Sequence, residues 1–377
     1  MKRLTDRYRR WLWHRQRYVR RRHHHHSIVD VITNQGRWAT KASTKTRHMP
    51  AVLCFDRNGT ETLAALADLR RRLRTRMRGI RGGTTVSKHR GAKPRWSGSY
   101  QKFETIKSIT PSAALVLAAE YERAIIRSGG GSVRVIDAHK WQPEVIDILW
   151  DIGFFDIVGL PQNLEKPDLK ANFAILPMRS GDTADGPAVT SLIKDLLLLY
   201  PGAAAETQGK MLPLYGAMVE GIVNVVSHAY PAGDPTGSSP VRRWWMTGAV
   251  DRDEGWTTAV IFDQGITIPV SLPNWELYAG YKRRMLSKIG LVPQADDPKS
   301  DGQAIAAAVE ESVSSTGESH RGHGLAQMRD FVDQCREGHL RIISRHGEVV
   351  FRTGGQREIK THDASIGGTL IEWSALL

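Results

Sequence analysis

A chain of 377 residues, 41% apolar and 24% charged, is long enough for two or three domains with cores of their own, and no run approaches the ~20 apolar residues of a membrane span. Two distant cysteines, Cys54 and Cys335, give neither a disulfide framework nor a zinc pairing, which fits a cytoplasmic protein, and the basic N-terminus lacks the apolar core of a signal peptide. The net charge of +14 is uneven: residues 1 to 100 hold 26 Lys+Arg against 5 Asp+Glu, and the remainder 27 against 34.

The first 26 residues interleave arginine with Tyr8, Trp11, Trp13 and Tyr18 and end in His23 to His26. Guanidinium and aromatic groups together suit phosphate contact and base stacking, so nucleic acid is one expected partner of residues 1 to 100. A loosely structured arm that only carries charge, or attracts acidic protein surfaces, is the other reading. The four histidines suit adventitious metal binding or an appended tag.

From Met49 the pattern becomes ordered. "AVLCF" reads as a short strand, and the helix after it has Asn58 or Thr60 as cap and Leu63, Leu69 and Leu73 at near-helical spacing. A basic Gly/Ser-rich loop follows. Then come a strand-like "FETIKSI", a helix begun by Thr110 with Pro111 in its first position, a strand "SVRVID", and a helix from Pro143. Strands alternating with helices predict an α/β layer.

The Pro- and charge-punctuated "LPQNLEKPDLKANF" is expected to hold a domain boundary. Beyond it lie a helix "SLIKDLLLLYP" and a second helix "GAMVEGIVNVVSHAY". Two strands joined by a turn at residues 251 to 255 follow, then helical pieces within 273 to 321, a helix "LAQMRDFVDQC" and three closing strands. This half is expected to layer helices on a mostly antiparallel sheet.

On the helix 216 to 230, at about 100° per residue with Glu220 at zero, Asn224 falls near 40° and His228 near 80°. Met218, Ile222, Val225, Val226 and Ala229 fall on the far side. A polar stripe usually meets solvent. This one sets a carboxylate, able to take a proton from a nucleophile, beside a carboxamide whose oxygen suits a hard cation. "AVIFDQG" then runs an apolar strand into Asp263 and Gly265, an acceptor for an exocyclic amine beside a close-approach glycine. "RGHGL" sets Gly322 and Gly324 before a helix, whose free N–H groups suit phosphate. Thr369 stands on the last strand.

Two resemblances follow from these residues. Residues 50 to 160, with Thr110-Pro111-Ser112-Ala113 opening the middle helix and Gly153-Phe154 closing the last, resemble the STAS domain of bacterial partner-switching regulators, the anti-sigma-factor antagonists. That family's Asp-Ser-Ser-Gly is altered here, and Ser112 matches the phosphorylated serine by position. A first-turn polar residue is the plainer reading of Ser112. Residues 170 to 377 resemble the GHKL ATP-binding fold, whose boxes occur here in order.

The resemblance implies ATP and Mg²⁺ as cofactors, with Glu220 as general base, Asn224 as Mg²⁺ ligand and His228 near the phosphates. It places Asp263 on the adenine amine, Gly265 at the ring, Gly322, Gly324 and Leu325 at the phosphates, and Thr369 at the adenine end. Thr267 stands where the family has a second glycine, and Arg321 is a candidate charge clamp. The expected organisation is a basic arm (1 to 48), a STAS-like α/β domain (49 to 165) and a GHKL, or Bergerat, α/β sandwich with a mixed, mostly antiparallel sheet (166 to 377). The expected activity is a regulatory ATPase or serine/threonine kinase, with a regulatory protein partner and a homodimer as further expectations. A nucleic-acid-associated, ATP-gated binder is the alternative.

Overall fold

The computed structural model describes residues 28–32, 42–81, 98–127, 132–136, 138–161, 163–169, 172–199, 205–231, 241–272, 297–314 and 324–376. In the first half, β1 (Ile28–Ile32), β2 (Ala42–His48) and β3 (Val52–Leu53) precede helix α1 (Phe55–Arg81). Next come β4 (Gly98–Lys102), β5 (Ser108–Ile109), α2 (Pro111–Arg127), β6 (Ser132–Ile136), α3 (Pro143–Asp151) and α4 (Phe154–Val158). β1 pairs antiparallel with β6, while β2 pairs parallel with β4 and β3 parallel with β5. Two of these strands lie inside the segment expected to be an arm, so the first unit begins upstream of residue 49.

Local chemistry accounts for the helices. α1 breaks at Asn58 (φ −143°, ψ 42°), whose amide donates to Val52 O and Glu61 Oε2, each at 3.0 Å. The reading of Asn58 as a cap therefore lands on a real break, because its side chain competes with the helix for backbone partners. α2 starts at the expected proline. The strand expected at "FETIKSI" shrinks to Ser108–Ile109, since Phe103–Thr105 form a 3₁₀ turn that buries Phe103.

The second half opens with β7 (Phe173–Ile175), β8 (Arg179–Gly181), α5 (Gly186–Leu198) and α6 (Ala205–Asn224), which widens into a π turn over Val225–Ala229. β9 (Trp244–Asp251), β10 (Trp256–Asp263), α7 (Ile268–Ser271), α8 (Asp301–Ser314) and α9 (Gly324–Asp333) follow. The chain closes with β11 (Glu337–Ser344), β12 (Gly347–Arg352), β13 (Arg357–Thr361) and β14 (Thr369–Leu376). One eight-stranded antiparallel sheet runs β13-β12-β11-β14-β10-β9-β7, with β8 also on β9. The fold is mixed α/β.

Strand alternation gives this sheet two buried faces, which is why its strands read as nearly continuous apolar runs. Ile261, Ile342, Ile371 and Trp373 face the layer of α5, α6, α8 and α9. Trp245, Val260, Phe262, Ile343 and Leu370 face the other way and join one core with Leu115, Leu117 and the aromatic cluster of Phe103, Tyr121 and Phe154 from the first half. α2 lies directly on β9 and β10. The connector 159 to 172 holds no helix or strand among its described residues, yet the halves it joins share a core.

Candidate functional site

The site is built at the ends of β10, β11 and β14 on the face covered by α6 and α9. Residue by residue, Asp263 stands opposite Thr369 on β14, and Thr369 opposite Ser344 on β11. Thr369 Oγ1 and Ser344 Oγ are 2.9 Å apart, and Ser344 Oγ accepts the Ile268 N–H at 2.9 Å. Three strands thus set a carboxyl and two hydroxyls in a row. Ser344 was not singled out from sequence. Its only signal is a small polar residue at the end of the file that carries Leu340 and Ile342.

Asp263 is the most unusual group in the row. It is 4% exposed, and no cation pairs with it among the described residues. Burial lifts its pKa to about 7, although backbone donors at Gly265 (2.9 Å to Oδ1) and Thr369 pull the other way. Four residues further along, Thr267 Oγ1 is buried with no hydrogen-bond partner among the described residues. Such a group costs about 1–3 kcal/mol until something binds it. Tyr230, also unassigned from sequence, seals the corner: its hydroxyl donates to Arg243 O (2.6 Å) and accepts from Gln264 N (3.0 Å). Burial first, and then the Asp263 charge, raise the Tyr230 pKa well above its ordinary value.

α6 runs along β10 from Gly221, where a Cβ would lie 2.8 Å from Ile261 Cδ1, to Ala229. There the Ile266 N–H donates to Ala229 O at 2.7 Å, and a Cβ on Gly265 would fall 2.0 Å from that oxygen. The missing side chain of Gly265 therefore makes room for the helix end. Glu220 and Asn224 are part-exposed and His228 is exposed, away from the core-facing Met218, Ile222 and Ala229. Val226 does not join that core. The π turn shifts the helical phase after Asn224 and leaves it 37% exposed.

α9 begins at Gly324 and packs on α6, with Leu325 and Met328 buried between them and Met328 O accepting the Trp373 indole N–H at 2.8 Å. Leu325 is thus part of the core beneath the helix start. Arg321 and Gly322 lie outside the described residues. Among the described residues no group of three or more His, Cys, Asp or Glu is gathered as a metal cage. A cation on the Asn224 oxygen would need ligands from phosphate and water, the usual manner of Mg²⁺. No family model matches the chain, and no curated protein or solved structure matches it either.

Ser112 is on the other side of the sheet. It is 1% exposed, and its hydroxyl donates to Glu372, which projects from β14 towards the first half. Glu372 also binds Arg341 (2.9 Å) and His339 (3.0 Å), and Arg341 reaches Asp56 of α1 (2.6 Å) and Glu348 (3.0 Å). The sheet therefore stands between the Ser112 hydroxyl and the face that carries Glu220.

No helix among the described residues is long and apolar enough to cross a membrane.

Proposed function

We propose that the chain is an ATP-binding regulatory protein of GHKL type, with Mg²⁺-dependent ATPase activity in residues 166 to 377 coupled to the STAS-like unit docked behind its sheet. The observation that carries this reading is Asp263: a buried carboxyl without a cation at the end of a strand, in register with the Thr369 hydroxyl of the neighbouring strand. Such a group gains a great deal from a neutral N–H donor of the kind the adenine amine presents, and little from an exposed cation. Thr369 and Ser344 extend the acceptor row, so the residues present fit a nucleobase edge.

Glu220 and Asn224, one turn apart on α6, are then the base and the metal ligand, and the start of α9 offers backbone N–H groups to phosphate. ATP supplies the transferable phosphoryl group. Glu220 would take the proton of the attacking water or hydroxyl, and Asn224 would hold the cation. Because Ser112 is buried on the far face, water or a hydroxyl of another protein is the acceptor this arrangement favours.

The test is ATP labelled at its terminal phosphate, incubated with the full-length protein and Mg²⁺. Release of free phosphate supports the ATPase, and label on an added protein substrate supports the kinase. Glu220→Ala should lower either rate by at least about 100-fold. Undiminished turnover in that variant would reject the assigned base, and absence of ATP binding would reject the reading as a whole.

A further inference from the structure

Two glycines precede Thr369, and each is crowded from a different side. Gly368 packs on the end of β10, where a Cβ would collide with Asp263 O. Gly367 has φ +74°, in the left-handed region that favours glycine, and a Cβ there would collide with the Arg70 guanidinium. The loop 362 to 368, between β13 and β14, is thus pressed between Asp263 and a side chain that comes from α1 in the first half.

Arg70 grips this loop by its main chain. One terminal nitrogen donates to Ser365 O at 3.2 Å and the other to Ile366 O, while Nε donates to Glu120 of α2 at 2.5 Å. Arg70 and Glu120 are both buried, so water is no substitute for any of these bonds. The planar fork serves a carboxylate and two successive carbonyls in fixed directions, which the single ammonium of a lysine does not. Leu66, Leu69 and Leu73 anchor the same stretch of α1 in the shared core. The place of the guanidinium is therefore set by the first half.

The grip bears on the site because Thr369 is the first residue of β14. Asp263 of β10 and Ser344 of β11 flank it, and both ladders end there. Element ends open more readily than their middles, so the preceding loop decides how firmly the Thr369 hydroxyl and its N–H, a donor to Asp263, are held. Backbone bonds between Ile366 and Arg345 O (2.9 Å) and between Arg345 and Gly368 O (3.3 Å) tie the same loop to the residue after Ser344.

We propose that Arg70 is a positioning residue of the nucleotide site, an inference that rests on the ATP reading of Asp263: through Ser365 to Gly368 it fixes the base end, and the first half thereby sets nucleotide affinity. The connection is contiguous, from Glu120 to Arg70, to the loop, to Asp263 and Thr369. By linkage, a base bound at that end strengthens the grip of α1 on the loop by the factor by which the grip strengthens the base.

The experiment uses the full chain in two variants. Arg70→Lys keeps the charge beside Glu120 without the fork, and Arg70→Met/Glu120→Gln removes both buried charges together so that neither is left alone. In ligand-free protein, hydrogen exchange read by mass spectrometry should quicken at least about tenfold over residues 365 to 369 and not in the middle of β10 or β11. Calorimetric titration with Mg-ATP should show a Kd raised at least about tenfold, with kcat at saturating ATP within about twofold of the parent, since Glu220 and Asn224 are untouched. Arg179→Gln, which breaks an ion pair with Asp195 elsewhere on the sheet, should match the parent in all three readouts. Unchanged exchange in variants that are folded by circular dichroism overturns the grip, whatever the chain binds. Quickened exchange with unchanged ATP affinity overturns the positioning role. A parent that binds no ATP rejects the nucleotide reading and the positioning role with it, and the exchange data, taken without ligand, tell that failure from failure of the grip.

Discussion

At the scale of single residues, Asp263 makes two opposed demands. As a carboxyl whose pKa rises from the ordinary range to about 7 on folding, it holds a proton in the native state that the unfolded chain has already released. The sign follows: the native chain loses stability as pH climbs from about 4 to about 7, and the loss persists above. Asp263→Asn should therefore be more stable than the parent by on the order of 2 kcal/mol at pH 8, with the advantage gone near pH 4, as read by urea denaturation at both values. The same variant should fail to bind ATP, because an amide in place of a carboxylate loses charge and half its acceptor capacity. A variant that binds ATP normally would remove the residue from the site.

At the scale of elements, the parts legible in the sequence are those with a buried face. The alternating or continuous apolar runs of β9 to β12 and β14, and the helices α2, α3, α5 and α8, follow from hydrophobic period alone. What escaped has no such face: β13, with Arg357, Glu358 and Lys360 on an exposed edge, and β2 and β4, which are polar or basic and pair only with each other among the described residues. In the site, Asp263 and Thr369 were readable because they end apolar strands. Ser344 and Tyr230 were not, because only the register of β11 against β14 and the turn after α6 bring them in.

The π turn belongs to the same class of surprise. It lets Ala229 O reach the β10 end while Glu220 and Asn224 keep helical spacing. Gly265→Ala tests that contact. With a Cβ 2.0 Å from a carbonyl oxygen, the helix end must move, so the variant should lose about 2 kcal/mol or more in stability and weaken nucleotide binding together. A neutral effect on both would mean the helix end is not held by β10.

At the scale of the whole molecule, the sheet is a partition with chemistry on both sides. β14 carries Thr369 towards the helices and Glu372 towards the first half, and β11 carries Ser344 and Arg341 in the same way. Arg341 is the cation that makes the back face tolerable. It is 3% exposed and faces Glu372, Glu348 and Asp56, and despite burial their charges raise its pKa. Burial alone would raise Glu372, but Arg341, His339 and the Ser112 hydroxyl bring it down to about 2. A depressed carboxylate stabilises the native state above its unfolded pKa, and that contribution, roughly 3 kcal/mol, is lost as pH falls from about 4.5 to about 2.

Removing Arg341 should be costly at neutral pH, since Arg341→Ala leaves buried carboxylates without a counter-charge. A loss of about 3 to 5 kcal/mol is expected in urea denaturation, with faster protease cleavage in the connector 159 to 172 as the halves part. Ser112→Ala removes one donor among three and should cost only about 1 kcal/mol. The decisive comparison is Arg341→Ala/Glu372→Gln. If buried charge is what the arginine neutralises, the second substitution should restore part of the loss. If the arginine acts only by filling space, the two losses should add.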